Sequence, residues 1–204
     1  MSTAAIFTTT MALHRRIEAA LNSGSPPPLP RRTVLVGPPV RSVTSGFSAS
    51  LFLFQVDPNR DLRNSEYFVE PEPLGGPAEL RNAIPLDLRF LVSVFRTASG
   101  DQAEADELRR LGEIIAALEN DPFMGDAEVP GQTVRVTLEP ASMDDLNRIW
   151  AVFPEDSYQP SLIYLATPVY VEAGERRVGP PVQIAENRAG ISTEDPRFTA
   201  GVPS

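Results

Sequence analysis

Cysteine and lysine are both absent from the 204 residues, and histidine occurs once. Without cysteine there is no disulfide framework, no thiolate metal site and no thiol nucleophile, which fits a reducing compartment and an expected location in the cytoplasm. Without lysine there is no Schiff-base chemistry and no lysine to reach a bound phosphate; all eighteen basic residues are arginine. A lone His14 cannot supply a catalytic triad or a multi-histidine metal centre, and it reads as a surface residue of a helix. No apolar run approaches the length of about 18 residues that spans a bilayer, and no basic segment followed by an apolar one opens the chain. A soluble chain without a signal peptide or membrane partner is therefore expected. The formal charge of -9 works against nucleic-acid binding, which needs clustered cations facing phosphates.

What is present is apolar content of 42%, enough for one substantial core, with 21 prolines and 13 glycines set mostly outside the periodic segments. The arginines come partly in doublets: Arg15/Arg16, Arg31/Arg32, Arg109/Arg110 and Arg176/Arg177. Their planar forks suit carboxylate contacts at protein interfaces, although ordinary solvated positions would explain them too.

Along the chain, Ile6, Leu13, Ile17 and Leu21 recur at helical spacing, and Asn22-Ser23-Gly24 is a stop signal. A proline-rich linker at 26–30 leads to a short strand at 33–36. The nearly all-apolar run 50–56 predicts a strand covered on both faces. Residues 60–83 predict a long loop ordered at a subunit contact. In 85–96, Leu86, Leu88, Phe90, Val92 and Val94 alternate on one face, the clearest strand of the sequence. Residues 102–119 predict a helix with Leu108, Leu111, Ile115 and Leu118 on its buried stripe. Val134, Val136 and Leu138 alternate in a half-buried strand. Ser142-Met143-Asp144-Asp145 reads as an N-cap with an acidic first turn, opening a helix that carries Leu146, Ile149, Trp150 and Phe153 at i, i+3, i+4 and i+7. The run 161–171 is the last strand; Pro168 restricts it to a sheet edge or a bulge, and an edge open to pairing is expected. From 173 to 204 the composition predicts an extended or disordered arm. The expected fold class is α+β: one domain over 1–172, a single-layer mixed sheet of about five strands with three packed helices.

No catalytic, cofactor-binding or metal-binding constellation emerges. The paired carboxylates Asp144/Asp145, Glu70/Glu72 and Glu104/Asp106 lack the other apparatus of an acid–base site. Asp87 and Arg89 share the strand face opposite Leu88 and Phe90; they suit either a subunit contact or an intrachain pair. Trp150, with Tyr158 and Tyr164 near it in sequence, suits an interface anchor or the core.

The ordered set formed by residues 85–91 (Pro-Leu-Asp-Leu-Arg-Phe-Leu), Leu111-Gly112, Leu118-Glu119-Asn120-Asp121-Pro122, residues 136–140 (Val-Thr-Leu-Glu-Pro), Asp144-Asp145-Leu146 and Ile149-Trp150 resembles the N-terminal domain of cap proteins from contractile injection systems of the antifeeding-prophage and virulence-cassette type. The opening helix and 51–59 fit as well, so the resemblance covers roughly residues 3–171. It implies a tail-terminator-like fold and a non-enzymatic subunit of a six-fold ring, capping the inner tube and meeting the last ring of the sheath. The partners it implies are further copies of the chain and the tube and sheath proteins. Expected contact residues are Asp87, Arg89, Trp150, Tyr164, Tyr170, Arg176 and Arg177. A phage tail terminator joining tail to head, a hydrolase using loop carboxylates, and an adaptor binding extended peptides along an edge strand near Val169 are the alternatives.

Overall fold

The computed structural model describes residues 4–24, 30–40, 45–62, 67–68, 80–81, 83–96, 102–154 and 158–172. Helix α1 (Ala5–Leu21) is followed by β1 (Val34–Val36), β2 (Ala49–Pro58), β3 (Tyr67–Phe68), β4 (Leu80–Arg81) and β5 (Ala83–Val94). Then come α2 (Gln102–Asn120), β6 (Phe123–Met124), β7 (Val134–Glu139), α3 (Met143–Trp150) and β8 (Ser161–Glu172). The main sheet has six strands in the order β1-β2-β5-β8-β7-β6, one more than expected because the two-residue β6 carries no periodicity; β3 and β4 form a separate antiparallel ribbon. Within the main sheet β1 runs parallel to β2 and every other neighbour is antiparallel.

Strand alternation divides the apolar residues between two cores. On one face Leu88, Phe90, Val92 and Val94 of β5, Val134 and Val136 of β7, and Tyr164, Ala166 and Val169 of β8 pack with Leu13 and Ile17 of α1 and Ile114 and Leu118 of α2. On the other, Leu91, Ile163 and the partly buried Phe52 and Phe54 meet Leu146, Trp150 and Phe153 from α3 and the turn after it, joined by Val40. Burying each such Leu or Phe contributes about 1.5–3 kcal/mol, so the first, larger cluster dominates stability. The predicted double coverage of 50–56 holds for buried Ser50 and Leu51 and lapses by Gln55 and Val56, which are exposed.

The helix ends follow their capping residues. Asn22 closes α1: its Nδ2 donates to the Glu18 and Arg32 carbonyls while its Oδ1 accepts from the Arg32 amide, which fastens the chain that leads to β1. At α3 the Ser142 hydroxyl accepts from the Asp145 amide and the Asp145 carboxylate accepts from the Ser142 amide, a reciprocal capping box. That hydrogen bonding holds Asp145 below its ordinary pKa.

Three expectations are corrected. β8 is an inner strand between β5 and β7, not an edge, and Val169 is fully buried, which removes the open edge that the peptide-adaptor alternative requires. Pro168 sits in a bulge instead: Leu86 pairs with Val169 and Leu88 with Ala166, so Thr167 and Pro168 together stand opposite Asp87. On α2 the buried stripe is Glu107, Arg110, Ile114 and Leu118, with Leu108 63% exposed. The pairing of Glu107 with Arg96 and of Arg110 with Asp106 and the Phe95 carbonyl is what admits two charges to that stripe. Finally, His14 is half-buried, with Nε2 3.0 Å from the Val34 carbonyl oxygen, so it joins α1 to β1. The expected arm at 173–204 and most of the loop at 60–83 lie outside the described residues.

Candidate functional site: the uncovered half of the second sheet face

Among the described residues, only the short α3 and the turn after it shield the second face, and they cover one end of it. Beyond Leu91 and Ile163 the same face carries polar residues from four strands. Arg89 of β5 donates from Nη1 to Asp57 of β2 at 2.7 Å and from Nε to Glu139 of β7 at 2.9 Å, passing over β8 to reach it. Burial opposes the charge of Arg89, but the hydrogen bond to Glu139 and the fields of Glu139, Asp57 and Asp87 outweigh it and raise its pKa. Asp87 accepts from Asn59 Nδ2 at 2.9 Å and from the Thr167 hydroxyl. Asn59 also accepts the Asp61 and Leu62 amides, which shapes the turn that follows β2.

Beside this ladder lies a shallow groove lined by Asn59, Asp61, Leu62, Phe123, Thr133, Arg135, Thr167 and Pro168. The Arg135 guanidinium stands 5.9 Å from the centre of the Phe123 ring, which is itself half exposed. The carboxylates of Asp57, Asp87 and Glu139 are all held as acceptors by their neighbours. Among the described residues no group of three or more His, Cys, Asp or Glu is arranged to hold a metal ion.

The expected contact residues separate into different environments. Asp87 and Arg89 lie together on the uncovered face, tied within the chain by the pairs just described. Trp150 is 7% exposed and packs edge-on against Phe153 and Tyr158 at 5.9 and 5.7 Å, so its bulk belongs to the second core while half-exposed Tyr158 forms the rim. Tyr164 is the clear correction: it is 0% exposed on the opposite side of the sheet from Trp150, in the main core, and offers no surface to a neighbour. Tyr170 is partly buried at the end of β8, its backbone engaged by Gln132. Arg176 and Arg177 lie outside the described residues. Of the other doublets, the second arginine is bound within the chain: Arg16 by Glu128, Arg32 by Asp106 and Glu113, and Arg110 by Asp106. The first of each, Arg15, Arg31 and Arg109, is exposed. Neither the groove nor Gln132 was visible to sequence reasoning, because the groove's residues are scattered over more than 100 positions.

The family described as the Pvc16 N-terminal domain matches residues 8–184. Among solved structures, the sheath/tube terminator of PVC, an extracellular contractile injection system, in its extended state is 17% identical with a TM-score of 0.61. That likeness covers 93% of this chain and 64% of that one. The tube-terminating cap of the anti-feeding prophage is likewise 17% identical, with a TM-score of 0.58 over 87% of this chain and 58% of its own. The chain thus spans about three fifths of the length of these neighbours, with which it shares a fold. No curated protein sequence matches it.

Proposed function

The chain belongs to the Pvc16 N-terminal domain family, and from that membership we propose that it caps a contractile injection particle, closing the end of the inner tube and meeting the last ring of the sheath. The observation that carries this reading is the fold shared over 93% of the chain with a sheath/tube terminator. The subunit forms a closed, six-fold ring, made in the cytoplasm and retained in the assembled particle, and its role is structural and not enzymatic. Neighbouring copies and the tube and sheath proteins meet it partly through the uncovered half of the second sheet face, around Asp87 and Arg89, and through Tyr170, Arg176 and Arg177. The acidic balance agrees with partners that are proteins and not nucleic acid.

The test is the native mass of the purified protein, alone and after mixing with the particle's tube and sheath proteins, followed by negative-stain imaging. A ring of six, or density added at one tube end, is the expected result. A chain that stays monomeric at high concentration and binds neither protein would overturn the capping role.

A further inference from the structure

An exposed sheet edge is a template for another strand, since its outward N–H and C=O groups are unpaired. The main sheet ends in β1 on one side and β6 on the other, and one helix reaches both. In β1, Thr33 and Gly37 bond toward β2, so by alternation the backbone of Val34 points outward; its carbonyl oxygen is taken by His14 Nε2. In β6, the Pro122 carbonyl accepts from Val136 of β7, so the carbonyls of Asp121 and Phe123 point outward. Both are taken by the guanidinium of Arg16, from Nη1 and from Nη2, the latter at 2.8 Å. Glu128 holds that guanidinium in place through Nε at 2.6 Å and Nη2, with Asp121 3.1 Å away. His14 and Arg16 stand two positions apart on α1 and therefore point to nearly opposite sides of the helix.

We propose that α1 seals the β6 edge through Arg16, so that the subunit cannot accept an added β-strand there from a neighbouring copy or a partner, while at β1, where His14 takes only the Val34 carbonyl and the exposed Val36 also faces outward, the helix narrows the edge without closing it. This deepens the capping role and rests on it for its meaning: an end piece with a closed β6 edge offers no strand-wise template for a further layer on that side. Partners are left with side-chain surfaces, not ladder hydrogen bonds, along the β6 edge.

The Arg16 seal is the one to open. A fluorescent peptide of residues 133–139, the strand that β6 already accepts on its inner side, serves as the probe, with binding read by anisotropy and association by sedimentation velocity. Arg16→Ala is expected to bind the peptide about tenfold or more tightly than the unaltered chain and to sediment faster with rising concentration. Glu128→Ala, which keeps the guanidinium near the carbonyls, gains much less. Should Arg16→Ala not fold, Arg16→Lys retains the charge but cannot span both carbonyls with one ammonium, and an intermediate gain is expected. A folded variant with no gain in peptide binding, or an unaltered chain that binds the peptide as well as its variants, would overturn the proposal. Because the capping role is read from density at the tube end of the unaltered protein, either reading can fail without the other.

Discussion

Gln132 completes the β7–β8 ladder with its side chain: its Oε1 accepts the Tyr170 amide at 2.8 Å while its Nε2 donates to the Tyr170 carbonyl. The register that pairs Arg135 with Thr167 puts Gln132 opposite Tyr170, but the Gln132 amide is spent on Val129, so the side-chain carboxamide carries this rung. Gln132→Ala removes both of these side-chain bonds to Tyr170 and should cost about 1 kcal/mol. Hydrogen exchange is the check, with the Tyr170 amide losing protection well before those of Tyr164 and Ala166.

Trp150 anchors the smaller core. Trp150→Ala should cost about 3–5 kcal/mol, since Phe153 and Tyr158 lose the ring they pack against. Thermal unfolding monitored by far-UV circular dichroism would report it, and Leu108→Ala on the exposed side of α2 should shift the same transition far less.

The Tyr164 hydroxyl is buried without a hydrogen-bond partner among the described residues. Burial, and after it the charge of Glu119, pushes its pKa up to about 12 from 10.0. A group that holds its proton more tightly when folded leaves stability intact below pH 10.0 and erodes it as pH climbs from there to about 12. Tyr164→Phe removes the unpaired hydroxyl, so it should be neutral to about 1 kcal/mol more stable near pH 7. It should also flatten the alkaline decline in a urea-midpoint series against pH.

At the acid end the sign reverses. Asp145 titrates below its ordinary 3.8 because Ser142 hydrogen-bonds its charged form. The capping box therefore contributes above that value and is lost as pH falls through the depressed pKa. Ser142→Ala should remove this dependence, seen as earlier exchange of the α3 amides at pH 7 and a smaller acid effect below 3.8.

For the uncovered face, Arg89→Glu places three acids where Asp57 and Glu139 shared a cation. The pairs are partly solvated, so the fold should lose only about 1 kcal/mol. Co-sedimentation with tube and sheath should fall sharply if neighbours use this face; unchanged incorporation would place the contact elsewhere.

Periodicity exposed the elements whose chemistry is local. The β5 alternation, the Val134–Leu138 strand and the Ser142 cap each depend on residues within a dozen positions of one another. Where reading failed, a distant partner was deciding. Leu108 looked buried because the stripe was drawn from apolar residues, whereas Glu107 and Arg110 occupy it with the help of Arg96, Asp106 and the Phe95 carbonyl. Tyr164 was grouped with Trp150 by sequence proximity, but strand alternation sends it through the sheet to the other core. Pro168 allowed an edge or a bulge, and choosing between them requires knowing which strand lies on each side of β8. The polar face around Arg89 was legible only as the polar side of β5; Asn59, Thr167 and Glu139 join it through pairings that no local pattern encodes.

The parallel pairing of β1 with β2 carries one more consequence. Two strands that run the same way oblige the chain to travel back along the sheet between them, and on that return Val40 reaches the core formed by α3. Val34, a few residues earlier, belongs to the core formed by α1 and α2. Within a few residues the chain around β1 thus gives one side chain to each core, Val34 to one and Val40 to the other, which ties the two layers together at this edge of the sheet.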